Sequence, residues 1–232
     1  MLRKSLSIIL VAIILLHNSI ALSKDFYITI PITISNIASV KEKNPSENFN
    51  LTHESSISPI FGVGLGYYIN SDSRVELLFE SLNFLFNDQT GNFNFLEDEV
   101  YTIGTKSVKR RVFGKSIKCN YYYNILYKDS FQIFVGAGIG GVQVKENKSF
   151  LVTGHFIDAG DLRSFPSVIK NARSAKTNNF TYSLMVGTSK NFNSIGHFDL
   201  TYSWRDYGKI KNNSVSNRYK GHHFSLGVRF DL

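Results

Sequence analysis

One cysteine in 232 residues removes several classes of protein at once. No disulfide framework can form, and Cys119 stands too far along the chain to carry an N-terminal lipid anchor. Its place on the apolar face of a strand reads as a packed, unreactive thiol. The six histidines include no helical pair and no Cys/His cluster, so the donor sets that hold zinc are not assembled. Long hydrophobic runs are missing too. The run Ile8 to Leu16 is nine residues, well short of the roughly 20 that a spanning helix needs, and no later segment does better. Proline is limited to four residues, and no repeat or low-complexity segment stands out. The charge excess is modest at +8, or +6 without Arg3 and Lys4. It is too diffuse to argue for nucleic acid, but it suits acidic surfaces such as lipopolysaccharide or sulfated glycans.

What is present begins with that short run. Arg3 and Lys4 precede it, and small residues allow cleavage after Ala21 or after Ser23, the pattern of a secretory signal peptide. The expected organisation is a signal over residues 1–23 and one exported β domain over 24–232. No cofactor is implied, and the domain reads as a monomer.

Period-two alternation runs through that domain. Phe224, Leu226, Val228, Phe230 and Leu232 fall on one face, and Ser225, Gly227, Arg229 and Asp231 on the other. Ending on an apolar residue, this strand is expected to close the structure. Seven further strands follow the same rule. They centre on Phe26–Ile34, Phe61–Ile69, Val75–Phe79, Phe113–Ile125, Phe131–Ile139, Phe180–Val186 and Phe198–Trp204. In the third, a bulge near Ser81 would return Leu82, Phe84 and Phe86 to the apolar side. Connections alternate strictly. Asn70 to Ser73, Lys128 to Ser130 and Asn193 to Gly196 are short, whereas Asn36 to Ser58, Asn87 to Ser107, Lys145 to Asn178 and Tyr207 to Lys220 are long.

An apolar exterior, a polar second face and alternating loop lengths predict an all-β fold: an eight-stranded antiparallel up-and-down transmembrane barrel. Its short turns and both termini would be periplasmic and its long loops extracellular, in the outer membrane of a Gram-negative bacterium. A soluble lipocalin also has eight strands and a signal peptide, and in water its charged face would simply point outward. The loop asymmetry and the terminal strand favour the membrane.

The inward face then carries a polar network of Arg74, Glu76, Glu80, Lys118, Asp199, Arg205, Arg229 and Asp231, which must satisfy itself internally. Eight strands leave room only for side chains, so a diffusive porin is not expected. Gly62, Gly64 and Gly66, and Gly136, Gly138 and Gly140, alternate along strands and do not open helices, so they make room rather than cradle phosphate. Asp199 and Arg229 are expected to pair on adjacent strands. A register placing them opposite each other sets Arg205 opposite His223 and Thr201 opposite Gly227. His222, His223 and Ser225 are similar to the His and Ser of barrel-embedded lipid A deacylases. Those enzymes, however, use the lipid-facing surface, and here His223 and Ser225 share the inward face of Arg229 without an evident acidic partner. No enzyme is expected.

Several stretches carry a family resemblance: Gly64-Leu65-Gly66-Tyr67-Tyr68-Ile69 with Arg74; Phe134 to Gly140 running on to Val144-Lys145-Glu146; Tyr182-Ser183-Leu184 with Val186-Gly187-Thr188-Ser189; Tyr202 to Gly208; and the ending Gly227 to Leu232. In these the chain resembles the Adr-type proteins of Rickettsia assigned as adhesins, which are opacity-protein-like outer-membrane barrels. The resemblance implies a surface-exposed adhesin that binds host-cell or serum proteins through its loops. A structural or small-solute barrel with incidental loops is the alternative. Loop charge leans towards adhesion, with a candidate surface of Arg163, Lys170, Arg173 and Lys176 in the third long loop and Lys209, Lys211, Arg218 and Lys220 in the fourth. Phe150, Phe156, Phe165, Val168, Tyr207 and Tyr219 would add contact area.

Overall fold

Alternating apolar and polar residues leave each strand with two unlike faces, and closing the sheet on itself lets every ladder hydrogen bond find a partner without an edge. A computed structural model describes residues 25–38, 40–44, 49–53, 57–86, 89–97, 100–128, 130–158, 161–193, 195–212 and 215–232. The expected signal segment lies outside the described residues. The elements are β1 (Phe26–Ile37), β2 (Val40–Asn44), β3 (Phe49–His53), β4 (Ser58–Tyr68), β5 (Ser73–Leu85), β6 (Gln89–Glu97), β7 (Val100–Lys128), β8 (Phe131–Asp158), β9 (Asp161–Asn191), β10 (Gly196–Asn212) and β11 (Val215–Asp231). No helix occurs among the described residues. β1 lies between β4 and β11, and β5 turns to pair with β7, so that β1, β4, β5, β7, β8, β9, β10 and β11 close an antiparallel eight-stranded barrel. β6 runs along the far half of β7, and β2 and β3 form a separate hairpin.

The outer wall is apolar and open to its surroundings. Leu184 is 62% exposed, Leu226 59% and Ile139 58%. In water such a continuous belt would be a liability; in lipid it is the wall that a spanning barrel requires. The short turns are locally determined. The Asn70 side-chain oxygen accepts from the Asp72 and Ser73 amides at 2.9 and 2.8 Å, and Asn193 does the same for Ile195 at 3.1 Å.

Three expectations are corrected. First, the long connections are largely ladder. β8 and β9 stay paired from Phe131/Lys190 to Asp158/Asp161, and β10 and β11 reach Asn212/Val215. The reason is chemical. Beyond Gly141 the outward residues of β8 are Gln143, Lys145, Asn147 and Ser149, so apolar alternation stops while hydrogen bonding continues. Second, there is no bulge at Ser81. β5 keeps one register against β7 from Ser73/Tyr123 to Leu85/Arg111, and Leu82, Phe84 and Phe86 point inward. They do so because the interior at this level is itself apolar. Third, the last hairpin is displaced by two residues from the expected register. Asp199 faces Gly227, Thr201 faces Ser225 and Arg205 faces Gly221. A bulge between Asp206 and Lys209, with Gly208 at φ +78°, absorbs one residue below the tip. An even displacement keeps every side chain on its own face.

Candidate functional site

The interior is stacked in layers from the short-turn end upward. Lowest is an open pocket of about 620 Å³ whose lining includes Tyr68, His197, Arg229 and Asp231. Here Arg229 Nε lies 3.1 Å from Asp199 Oδ2, its guanidinium also donates to Ser189 Oγ and Tyr68, and Tyr68 donates to Asp231 at 2.9 Å. His197 bridges Asp231 at 2.9 Å and Asn191 at 2.6 Å. Above this, Arg74 lies 4.5 Å from the Tyr122 ring centroid and 4.7 Å from that of Phe134, with Asp199 at 3.9 Å. Glu76 accepts from Asn120 and Tyr122, each at 3.1 Å. A cavity of about 40 Å³ remains at this level, room for a few waters rather than a solute path.

The next layer centres on Glu80. Lys118 Nζ lies 2.8 Å from one carboxylate oxygen and Arg205 Nη1 2.7 Å from the other, while Ser116 donates at 3.0 Å. His223 is fully buried alongside, edge-on to Tyr207. Above it sits an apolar plug built from Ile37, Ile60, Leu82, Phe84, Phe86, Val112, Val142, Val144, Tyr207, Ile210 and Tyr219. Highest, Arg110 Nε lies 3.0 Å from Glu146 Oε1, Lys148 Nζ lies 3.8 Å from the same atom, and Tyr219 donates to it at 3.0 Å. The barrel is therefore filled, with its driest layer towards the long hairpins.

Of the expected network, Arg74, Glu76, Glu80, Lys118, Arg205 and Arg229 are buried. Asp199 is mostly covered, and Asp231 is half-exposed at the open end. Arg229 reaches Asp199 diagonally, across the displaced register. A double-mutant cycle of Asp199→Asn and Arg229→Gln, read as unfolding in detergent, is expected to give a coupling of about 0.5–3 kcal/mol. Additive effects would show that each charge is held by its other neighbours. The plug and the Arg110–Glu146–Lys148 cluster are missed by sequence reasoning. The signal is there, because Val142, Val144, Glu146 and Lys148 continue the parity of Gly136, Gly138 and Gly140.

The hairpins carry the candidate binding residues unevenly. Lys176, Lys209, Arg218 and Lys220 are exposed on the outer wall. Arg218 lies 2.6 Å from Asp206, a buried carboxylate that raises the Arg218 pKa through a hydrogen bond and its charge. Arg218 is thus committed to holding the bulge. Tyr207 and Tyr219, expected to offer contact area at the loop edges, instead point inward into the plug, each 1% exposed. The side chains of Arg163, Lys170, Arg173 and Lys211, and of Phe150, Phe156, Phe165 and Val168, lie outside the described residues. His222 faces outward and Nδ1 meets the Tyr202 hydroxyl at 2.7 Å, while Ser225 is inside against Thr33. His223 and Ser225 therefore share the inward face, as alternation implies, and only His222 stands on the outer wall. Among the described residues no group of His, Cys, Asp or Glu could hold a metal ion.

A closed antiparallel barrel with an apolar wall and a filled polar interior defines an outer-membrane β-barrel protein of a Gram-negative bacterium. The chain belongs to the family described as outer membrane protein beta-barrel domain, whose sequence pattern matches residues 7–231. A Rickettsia conorii protein designated "Putative adhesin RC1281" is 29% identical over 181 residues, covering 73% of this chain and 66% of its own length. A "Putative adhesin" of Rickettsia felis is 25% identical over 202 residues, covering 83% and 82%. The crystal structure of Neisserial surface protein A aligns with 89% of this chain and 97% of its own, at 13% identity and a TM-score of 0.48.

Proposed function

We propose that the protein is a surface adhesin, delivered by a cleaved signal over residues 1–23 and oriented with its short turns in the periplasm and its paired hairpins outside the cell. The observation that carries this reading is the extension of the β8–β9 ladder to Asp158/Asp161, far beyond the apolar wall, over a sealed interior. A paired ribbon above the membrane offers contact area at a lower ordering cost than an unpaired loop. Arg163, Lys170, Arg173 and Lys176 along β9, with Lys209, Lys211 and Lys220 on the last hairpin, supply positive charge that would steer an acidic host-cell or serum protein at long range. The names of the rickettsial relatives point the same way. The plug disfavours the small-solute alternative.

The test compares host-cell protein binding by wild type and two variants. One replaces Lys209, Lys211 and Lys220 by Ser and leaves Arg218 on Asp206. The other replaces residues 150–171 by Asn-Gly, which cuts the hairpin at the Ser149/Ala172 rung and preserves the ladder beneath it. Both variants should fold, and each should bind less than wild type. The wild-type signal should fall with salt. Equal binding by both variants would move the adhesive surface elsewhere, and absence of binding by wild type at low salt would leave the structural-barrel reading.

A further inference from the structure

Among the described side chains, the outer wall of β7, β8 and β9 carries charge of one sign only. From Ser107 to Lys128, Phe131 to Ser149 and Ser174 to Asn191 the single carboxylate is Glu146, and it points inward onto Arg110. At one level of this wall Lys145 stands directly opposite Lys176. Phe113 is opposite Lys145 on the other side, which puts Arg111 and Lys115 on the two diagonals. All four cations are exposed. Directly opposed residues have Cβ atoms about 5 Å apart, and like charges there are destabilising unless an anion lies between them. One rung below, Gln143 donates to Asn178 at 3.1 Å. Below that rung the wall is notched. Gly141, between Ile117 and Phe180, has no heavy atom within 4 Å of where a Cβ would sit.

We propose that this wall is a binding site for a bisphosphorylated glycolipid of the outer leaflet, with its phosphates among Arg111, Lys115, Lys145 and Lys176 and an acyl chain lying in the notch over Gly141. The order matches such a lipid seen from outside to inside: anionic headgroup, polar linkage, hydrocarbon. Four clustered cations suit two phosphates better than the single negative charge of a phosphodiester lipid. Among the described residues the opposite side of the barrel offers no such clamp, because the outward residues at the upper ends of β1, β4 and β5 include Asn36, Pro59 and Ser81. The site rests on the outward orientation of the hairpins proposed above, but not on adhesion.

The test uses full-length protein in detergent and needs no cells, so its failure leaves the adhesin reading untouched. The probes are bisphosphorylated lipid A, the same lipid stripped of phosphate, and phosphatidylglycerol, with bound lipid counted by native mass spectrometry. Wild type should prefer the bisphosphorylated lipid to both others. Replacing Lys145 and Lys176 together by Ser should weaken it by about thirtyfold, the equivalent of two basic residues at an anionic lipid surface. Gly141→Leu should weaken it while leaving folding intact, since the added side chain meets open space. Lys190→Ser, at the short-turn end of β9, should bind like wild type. The proposal is overturned if the stripped lipid or phosphatidylglycerol binds equally well, if the double variant binds as wild type does, or if Gly141→Leu has no effect. A difference in gel mobility between unboiled and boiled protein, expected of a closed barrel, separates each result from misfolding.

Discussion

Glu80→Ala is expected to cost about 3–5 kcal/mol of barrel stability, because it strands two buried cations rather than one. Lys118 and Arg205 both rest on the Glu80 carboxylate, and their side chains are 1% and 4% exposed. Without that carboxylate they face each other in a layer roofed by the apolar plug, where desolvation is uncompensated. The cost arises from the unpaired cations, so removing one of them should recover much of it. Glu80→Ala combined with Lys118→Met is expected to be more stable than Glu80→Ala alone. Urea or heat titration of the folded band in detergent reads both. A loss for Glu80→Ala below about 1 kcal/mol, the range of a solvent-exposed pair, would mean that water reaches this layer.

Phe84→Ala is expected to cost a similar amount, about 3–5 kcal/mol, by opening a cavity in the plug. The Phe84 ring is 1% exposed and its centroid lies 5.3 Å from that of Tyr207. The informative control is Leu184→Ala on the outer wall, where lipid or detergent replaces the lost contacts. That change should cost about 1 kcal/mol or less. Equal, small effects at both positions would return Phe84 to the outer wall and reinstate a bulge near Ser81.

That contrast shows where the sequence is legible. The facing of Phe224 to Leu232 can be read from alternation, since one environment is lipid and the other a charged interior, and two such solvents sort side chains without ambiguity. The closeness of Asp199 and Arg229 is legible for the same reason, because parity survives a displacement of two residues. Register is not legible, because the Gly208 bulge leaves no mark in the alternation. Leu82, Phe84 and Phe86 mislead because an apolar residue signals lipid only where the inside is polar, and at their level the inside is the plug. The length of β8 and β9 is hidden for a third reason. Lys145, Asn147 and Ser149 carry the ladder past the apolar wall, where a strand need not be apolar on either face. The candidate surface is legible as charge, whereas the spacing that sets Lys145 against Lys176 needs the register.

The central claim, a membrane-spanning barrel with its hairpins outside the cell, is tested most directly by labelling intact cells with a membrane-impermeant maleimide. Cys119→Ser removes the native thiol, which faces outward beside Ile117 and Tyr121 in the apolar wall. Single cysteines are then placed at Ser174, exposed on the upper part of β9, and at Ser71, exposed in the turn between β4 and β5. The account predicts that the Ser174→Cys protein is labelled on intact cells and the Ser71→Cys protein only after the outer membrane is permeabilised. Labelling of Ser71→Cys on intact cells, with Ser174→Cys protected, would contradict it.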